Sequence, residues 1–485
     1  MDFFGGSLAF FIPAIVYIRS ASPEPGSWDT AELQGVPFIL GISHPTGFPF
    51  YVLVGFVWSH LQPFGTIAFR MNAMSGVAMA VTCAAGYLVA RQFGASRIVA
   101  LAAALWFAFT PNIWSHAARA EAQDLAMMCS ALAIYAFLRW MREGAAGWFA
   151  AAFALCGLGM AAHPNALWLL PAFVVGSSIA RQRPSAKLAA AAALLVVAAL
   201  SLYAYLPLRS AYVVAHQMDP AGVLPDAGGG ILWNYNDPRT LHGLTLELTG
   251  SEFQTPGYFL ASLNPAHLEG ALWTLVSGLH SEYGTFAMIL IAAGLVIAWR
   301  RDWRATLVLL LACTTALLFS AFYPNESDIG RYRLLVSWLA VPLVGALTPQ
   351  SRTTTSTALH VALVAFLGIG AGVAFMQQRS FFNHAPAEGG RWVIDAVRPY
   401  VPAGGTVVTG WLDATSLAYG AYADRSLPGR IIVSDNQLRV ALYQRWAKER
   451  PVFVLVDPHN VRALPGARDY ARLDAYHELY TVERP

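Results

Sequence analysis

Charge is scarce in this chain. Only 12% of its 485 residues are Asp, Glu, Lys or Arg, whereas 56% are hydrophobic, and a soluble domain of this size cannot present so apolar a surface to water. An integral membrane protein is expected. Lysine is almost absent, occurring at Lys187 and Lys448 alone. Arginine therefore carries the positive charge, and with abundant alanine this bias reads as a GC-rich bacterial genome. The formal net charge of +3 is too small and dispersed to suggest a nucleic-acid partner. Cys83, Cys129, Cys156 and Cys313 all sit inside apolar runs without paired or metal-type spacing, which excludes a disulfide framework or a zinc site and leaves packing. No short-period repeat or low-complexity tract occurs. The first apolar run has no basic n-region and no small-residue cleavage site, so it reads as a retained span rather than a signal peptide.

What is abundant is apolar sequence of nearly spanning length. A transmembrane helix needs about 20 apolar residues, somewhat fewer with interfacial flanks. Eleven runs qualify: Phe3 to Ile18, Ala68 to Ala90, Ile98 to Trp114, Ala122 to Leu138, Trp148 to Ala162, Ala166 to Ile179, Leu188 to Leu206, Phe286 to Trp299, Ala305 to Phe322, Leu334 to Leu347 and Leu359 to Met376. Alternate connections carry Arg91 and Arg97, Arg139 and Arg142, Arg181, Arg183 and Lys187, Arg300, Arg301 and Arg304, then Arg352. Basic residues beside a span stay cytoplasmic. The opposite, outer side then receives residues 19–67, the Arg119 and Glu121 loop, residues 207–285, the Asn325 to Arg333 loop and everything after residue 376. Trp106, Trp114, Trp148 and Trp299 near span ends fit the interfacial aromatic belt.

From Gln377 onward the pattern changes. Short β-branched runs at Gly405 to Thr409, Arg430 to Val433 and Val452 to Val456 alternate with helical patterns at Arg391 to Val397 and Gln437 to Arg450, which predicts a small α/β domain over residues 377–485.

The informative polar stretch is SWDTAELQGVPFILGISHPTGFPFYVLVG, from Ser27 to Gly55. Its apolar part, Phe48 to Leu61, is too short to cross and has Pro45, Gly47 and Pro49 at its start, so it should lie in the interface or dip back into it. Asp29 and Glu32, three apart, share one helix face. They also fit a capping box, which involves no chemistry. Their place at a membrane face between spans favours function, because ionisable groups there are costly.

Asp29-Thr-Ala-Glu32, then His44-Pro-Thr-Gly-Phe-Pro-Phe-Tyr51 and Phe69-Arg-Met-Asn72, resembles the opening of the GT-C membrane glycosyltransferases related to the eukaryotic O-mannosyltransferases that modify IPT domains. Tyr205-Leu-Pro-Leu-Arg-Ser210 and Trp233-Asn-Tyr-Asn-Asp-Pro-Arg-Thr240 are similar to a second block of that family, with an apparent insertion between them. The resemblance implies a polytopic α-helical GT-C-like fold with about eleven spans over residues 1–376, followed here by the α/β domain in place of a helical-repeat tail. It further implies a polyprenyl-phosphate sugar donor and an active site outside the cytoplasm; with the bacterial composition, the expected location is the bacterial inner membrane. Asp29 is then the general base and Glu32 its supporting acceptor or substrate orienter.

An inverting transfer asks a carboxylate to take the proton of an incoming hydroxyl while a lipid phosphate leaves. Desolvation and a second nearby carboxylate are expected to raise the pKa of Asp29. The departing phosphate needs cations, for which Arg331 and Arg333 come first, Arg209 second, and Arg119 and Arg239 are further candidates. Against these stand Glu326 and Asp328, which make a simple ion-pair network an equal alternative for Arg331 and Arg333. His44 is a candidate for donor phosphate or acceptor, or a turn stabiliser; Glu121 orients the acceptor, pairs with Arg119 or complements a helix dipole; His163 reads as a satisfied loop histidine. Trp233 is the candidate sugar platform. No Asp-x-Asp appears in the first loop, and Asp29 with Glu32 supplies too few oxygens for a calcium cage, so transfer without a cofactor or metal is expected, magnesium or manganese being the alternative. The expected function is transfer of mannose to a protein Ser or Thr hydroxyl. A lipid or polysaccharide acceptor is the runner-up, and a membrane transporter, which would show inverted repeats and mid-bilayer carboxylates, is the reading from another class.

Overall fold

The computed structural model describes residues 3–227, 230–253, 265–322, 329–351, 353–383, 389–461 and 464–484. Glu326, Asp328 and Arg352 lie outside the described residues. The helices are α1 (Phe3–Ser20), α2 (Trp28–Ile39), α3 (Pro49–Leu61), α4 (Ile67–Gln92), α5 (Arg97–Phe109), α6 (Pro111–Ala117), α7 (Ala122–Glu143), α8 (Ala146–Ala162), α9 (Leu169–Ile179), α10 (Ala186–Leu200), α11 (Tyr205–Ala215), α12 (Leu241–Thr249), α13 (Pro265–Arg301), α14 (Trp303–Phe322), α15 (Ile329–Tyr332), α16 (Leu334–Gly345) and α17 (Thr354–Gln377).

Each of the eleven apolar runs is helical. Among the described residues six helices are long and apolar enough to cross a membrane, α1, α4, α7, residues 186–215, residues 272–301 and α17, and a seventh arises if α5 and α6 form one broken span, bent by 71°. The bend falls at Thr110, which precedes Pro111 and is driven to extended backbone (φ −62°, ψ 147°) by that ring. The remaining apolar helices α8 and α9 are shorter than a full crossing, so the count of eleven exceeds what length and composition alone support. All four cysteines are buried and unpaired, as packing residues should be.

Helix ends follow local chemistry. Thr66 caps α4 by accepting from Phe69 N–H, Pro49 opens α3 at a position that needs no donor, and Gly144 ends α7 in the left-handed conformation (φ 72°). One large apolar core joins α1, α4, α5, α7, α8 and α16. At one end of this bundle the basic connections meet: Arg301 donates to Phe93 O (2.8 Å) and Thr348 O (2.9 Å), and Arg142 donates to Gln92 O. The polar segments around Asp29, Arg119 and Arg331 meet elsewhere, around the cavity described below.

After α17 come α18 (Gly390–Val397), β1 (Thr406–Thr409), α19 (Trp411–Ala418), β2 (Ile431–Ser434), α20 (Val440–Ala447), β3 (Val452–Val456), β4 (Ala467–Arg472) and β5 (Glu478–Val482). The sheet order is β2-β1-β3-β5-β4. β1 pairs in parallel with β2 and β3, while β5 runs antiparallel to β3 and β4. The three strands and two helices expected here are present; the β4–β5 hairpin is additional. This region is not a free appendage. Val36, Val52 and Ala68 share a buried cluster with Val393, Leu417, Tyr419 and Ile432, so the apolar side of α18 and α19 packs on α2 and the start of α4.

Candidate active site

Helix α2 begins with Trp28, whose φ of 50° lies in the left-handed region that a bulky residue adopts at a cost. Its ring is 57% exposed and turned to a cavity. The capping box does not form: Ser27 is the N-cap and makes no side-chain cap bond. Asp29 and Glu32 are committed elsewhere.

Asp29 lines a cavity of about 1180 Å³, large enough for a phosphate-linked sugar and part of its acceptor. Its Oδ2 meets Arg331 Nη1 at 3.2 Å and its Oδ1 accepts from Trp411 Nε1 at 2.9 Å. Burial disfavours the charge, but His44, Arg331 and the Trp411 hydrogen bond outweigh it and hold the carboxyl below its usual value. The upward shift expected from desolvation is therefore overturned. The cause is a pair of cations that the local sequence does not reveal.

Glu32 is wholly buried and does not reach the cavity. Its Oε1 accepts from His44 N–H at 2.8 Å and its Oε2 pairs with His44 Nδ1. Burial opposes protonation of His44, yet the charges of Glu32 and Asp29 push it up to about 9. His44, on the cavity wall, is thus an imidazolium at neutral pH. Glu32 acts behind it rather than on a substrate.

Glu121, at the N-cap of α7, pairs with Arg119 at 3.1 Å, and both line the cavity. His163 also lines it, stacked on Phe48 (5.3 Å between centroids), accepting from Asn165 N–H. Asp29, His44, Arg119, Glu121 and Arg331 are therefore brought together. Four other candidates stand apart from the cavity. Arg209 closes the end of α2, donating to Leu40 O and to Ile39 O (3.2 Å). Arg333 donates to Thr274 O at 3.3 Å on α13. Arg239 forks onto Asp237 at 2.9 and 3.0 Å, which in turn accepts from Ser210 (2.8 Å). Trp233 packs into the cluster joining α2 to the sheet region, a correction to its expected role as a sugar platform.

The aromatic rings that do line the cavity are Trp28, Phe48, Tyr235, Tyr332 and Trp411. Tyr235 lies two positions from Trp233 in the same motif, and Trp28 adjoins Asp29, so a wider reading of those stretches could have found them. Trp411 carries no sequence signal linking it to residue 29. Ser434, Asn436, Gln437 and Arg439 bring the carboxyl end of β2 to the cavity as well, the usual ligand edge of parallel strands. Among the described residues no three His, Cys, Asp or Glu side chains converge as a metal site.

Residues 29–186 match the family model of the Protein O-mannosyl-transferase TMEM260 N-terminal domain. The Protein O-mannosyl-transferase TMEM260 of Mus musculus is 23% identical over 337 residues, 67% of this chain and 45% of that protein. Its Dictyostelium discoideum counterpart is 26% identical over 130 residues, 26% of this chain and 16% of that protein. The matched stretches thus take in less than half of either relative. Among solved structures, ArnT from Cupriavidus metallidurans superposes with a TM-score of 0.60 in the apo state and 0.55 bound to undecaprenyl phosphate, at 12% identity, over 98% of this chain and 97% of that one. The chain is accordingly a membrane protein of GT-C fold along its whole length, and its first third is similar to the N-terminal domain of the TMEM260 protein O-mannosyl-transferases.

Proposed function

We propose that this chain is an inverting glycosyltransferase that moves mannose from a polyprenyl phosphate to a Ser or Thr hydroxyl of a protein, on the outer side of a bacterial inner membrane. The observation that carries the reading is Asp29, an ionised carboxylate on the wall of a large cavity, faced there by Arg331, Arg119 and protonated His44. In the transfer step the acceptor oxygen forms a bond to the anomeric carbon and its proton passes to Asp29. The bond from that carbon to the phosphate oxygen breaks, and the lipid phosphate leaves with the electron pair. Arg331, Arg119 and His44 stabilise the charge that develops on it, and Glu32 keeps His44 charged. Trp28, Tyr235 and Trp411, among the aromatic side chains of the wall, offer faces for the sugar.

The TMEM260 relatives are protein O-mannosyl-transferases by name, which supports mannose and a protein acceptor, and one ArnT structure holds undecaprenyl phosphate, which supports a polyprenyl-phosphate donor. The clustering of basic connections at one end of the bundle supports the eleven-span arrangement with the cavity and the sheet region outside. No cofactor or metal is needed in this scheme, because two carboxylates of the cavity wall are paired to arginines: Asp29 with Arg331, Glu121 with Arg119.

The test is a panel of polyprenyl-phosphate sugars incubated with the purified protein and Ser/Thr-containing peptides, with lipid phosphate and glycosylated product read by mass spectrometry. Release from the mannosyl donor with modified peptide is expected, and Asp29→Asn should abolish both while the protein stays folded in the membrane. Turnover unaffected in that variant overturns the reading, and product on lipid or polysaccharide instead of peptide redirects the acceptor.

A further inference from the structure

Trp411 opens α19 directly after β1 and presents its ring to the cavity. Its indole N–H holds one carboxylate oxygen of Asp29 while Arg331 holds the other, so the carboxylate is gripped at both ends. The ring is itself fixed edge-on between His44 (5.8 Å, 84°) and Tyr235 (5.6 Å, 87°).

Docking of the sheet region does not depend on this bond. Arg391 bridges Glu24 (2.9 Å) and Asp424 (2.7 Å), Ser416 Oγ donates to Gly26 O (3.0 Å), and Tyr419 OH accepts from Ala68 N–H (3.0 Å). Beneath them lies the shared apolar cluster of Val36, Leu417 and Tyr419. The indole has a single polar atom, and it is spent on the carboxylate rather than on holding the two parts together.

We propose that Trp411 is a positioning residue for Asp29, through which the C-terminal sheet region takes a direct part in catalysis. The proposal rests on the glycosyl-transfer reading. A base must be held in near-attack geometry, and misplacement by about 1 Å costs about a hundredfold in rate. Two donors on two oxygens fix the carboxylate plane and leave its remaining lone pairs for the incoming hydroxyl.

Trp411→Phe keeps the ring and removes the donor. With polyprenyl-phosphate mannose as probe, kcat should fall by about ten- to a hundredfold with donor KM unchanged. Loss of a hydrogen bond to the ionised form raises a carboxyl pKa, so the acid limb of the kcat profile should move to higher pH. Arg391→Ala, which weakens docking alone, should lower thermal stability and leave that limb in place. A readout without turnover is the indole ¹⁵N–¹H resonance of Trp411, identified by its loss in Trp411→Phe: it should titrate with Asp29 and cease to do so in Asp29→Asn. An active enzyme whose kcat and acid limb survive Trp411→Phe, or a resonance indifferent to Asp29→Asn, overturns the proposal. A wild-type protein without turnover whose resonance still follows Asp29 upholds the pairing and removes the transferase reading.

Discussion

Asp29 and Arg331, 302 positions apart in the chain, form an ion pair of 3.2 Å on the wall of one cavity. The guanidinium keeps the carboxylate ionised but also makes it a weaker base. Under the proposed transfer, a donor phosphate entering the cavity would compete for the same arginine, and the carboxylate would recover basicity as Arg331 turned toward it. Donor binding and base strength are thereby coupled.

Arg331→Ala tests this coupling. Without its cation the Asp29 carboxyl pKa rises, so less base is ionised at a given acid pH and the acid limb of kcat/KM moves upward in pH. At the optimum kcat/KM should fall by about 10²–10³-fold, the range for loss of one transition-state donor. Arg209→Ala, remote from the cavity, should leave the profile where it is. Steady-state kinetics across pH separate the two.

The Glu32 and His44 pair makes a separate prediction about stability. The pKa of His44 is 6.5 in a model peptide and about 9 here. A group whose folded pKa is raised stabilises fully below the unfolded value and loses that contribution as pH climbs through the folded one. Thermal stability should therefore decline between about pH 6.5 and 9. In Glu32→Gln that slope should flatten, and removing one partner of a buried pair should cost about 3–5 kcal/mol. Melting curves of both proteins over this range are the measurement.

Glu247, on α12, is wholly buried, and burial pushes its carboxyl up to about 9. Folding must therefore keep a proton that the unfolded chain releases near pH 4.5. Glu247→Gln removes this burden: the variant should melt higher than wild type at pH 7, and the gap should close as pH falls below about 4, where both states are neutral.

Chelation gives a fourth test. With Asp29 and Glu121 already paired to arginines, turnover should persist in EDTA and gain nothing from added magnesium or manganese.

Local patterns in the chain carried the helices well, because burial in apolar surroundings demands long runs that alternation or loops cannot imitate. Their ends were legible as well, α8 and α9 closing at Ala162 and Ile179 as the runs do; that they are too short for a full crossing is what the count of runs overlooked. The β4–β5 hairpin escaped notice because β4 is mostly exposed and reads as polar, with Arg468, Asp469, Tyr470 and Arg472 instead of a β-branched run. In the site, Asp29, His44, Arg119, Glu121 and Arg331 were accessible from motif and flank, since charge beside a span is informative. The Arg119–Glu121 pair was legible too, but the grip on Asp29 was not, for the Arg331 ion pair and the Trp411 bond join segments hundreds of residues apart. Arg209 shows the converse: a cation in a recognisable motif whose work is to tie off the carbonyls of α2.

The meeting of the β2 edge with the membrane-embedded helices divides the labour of the cavity between two inheritances. The helical floor carries the arginines and the imidazolium, whereas the rim at Asn436 and Gln437 belongs to the loop that follows β2. Such a loop can change length or composition without disturbing a single span, so one wall of the cavity can vary while the other keeps its charges.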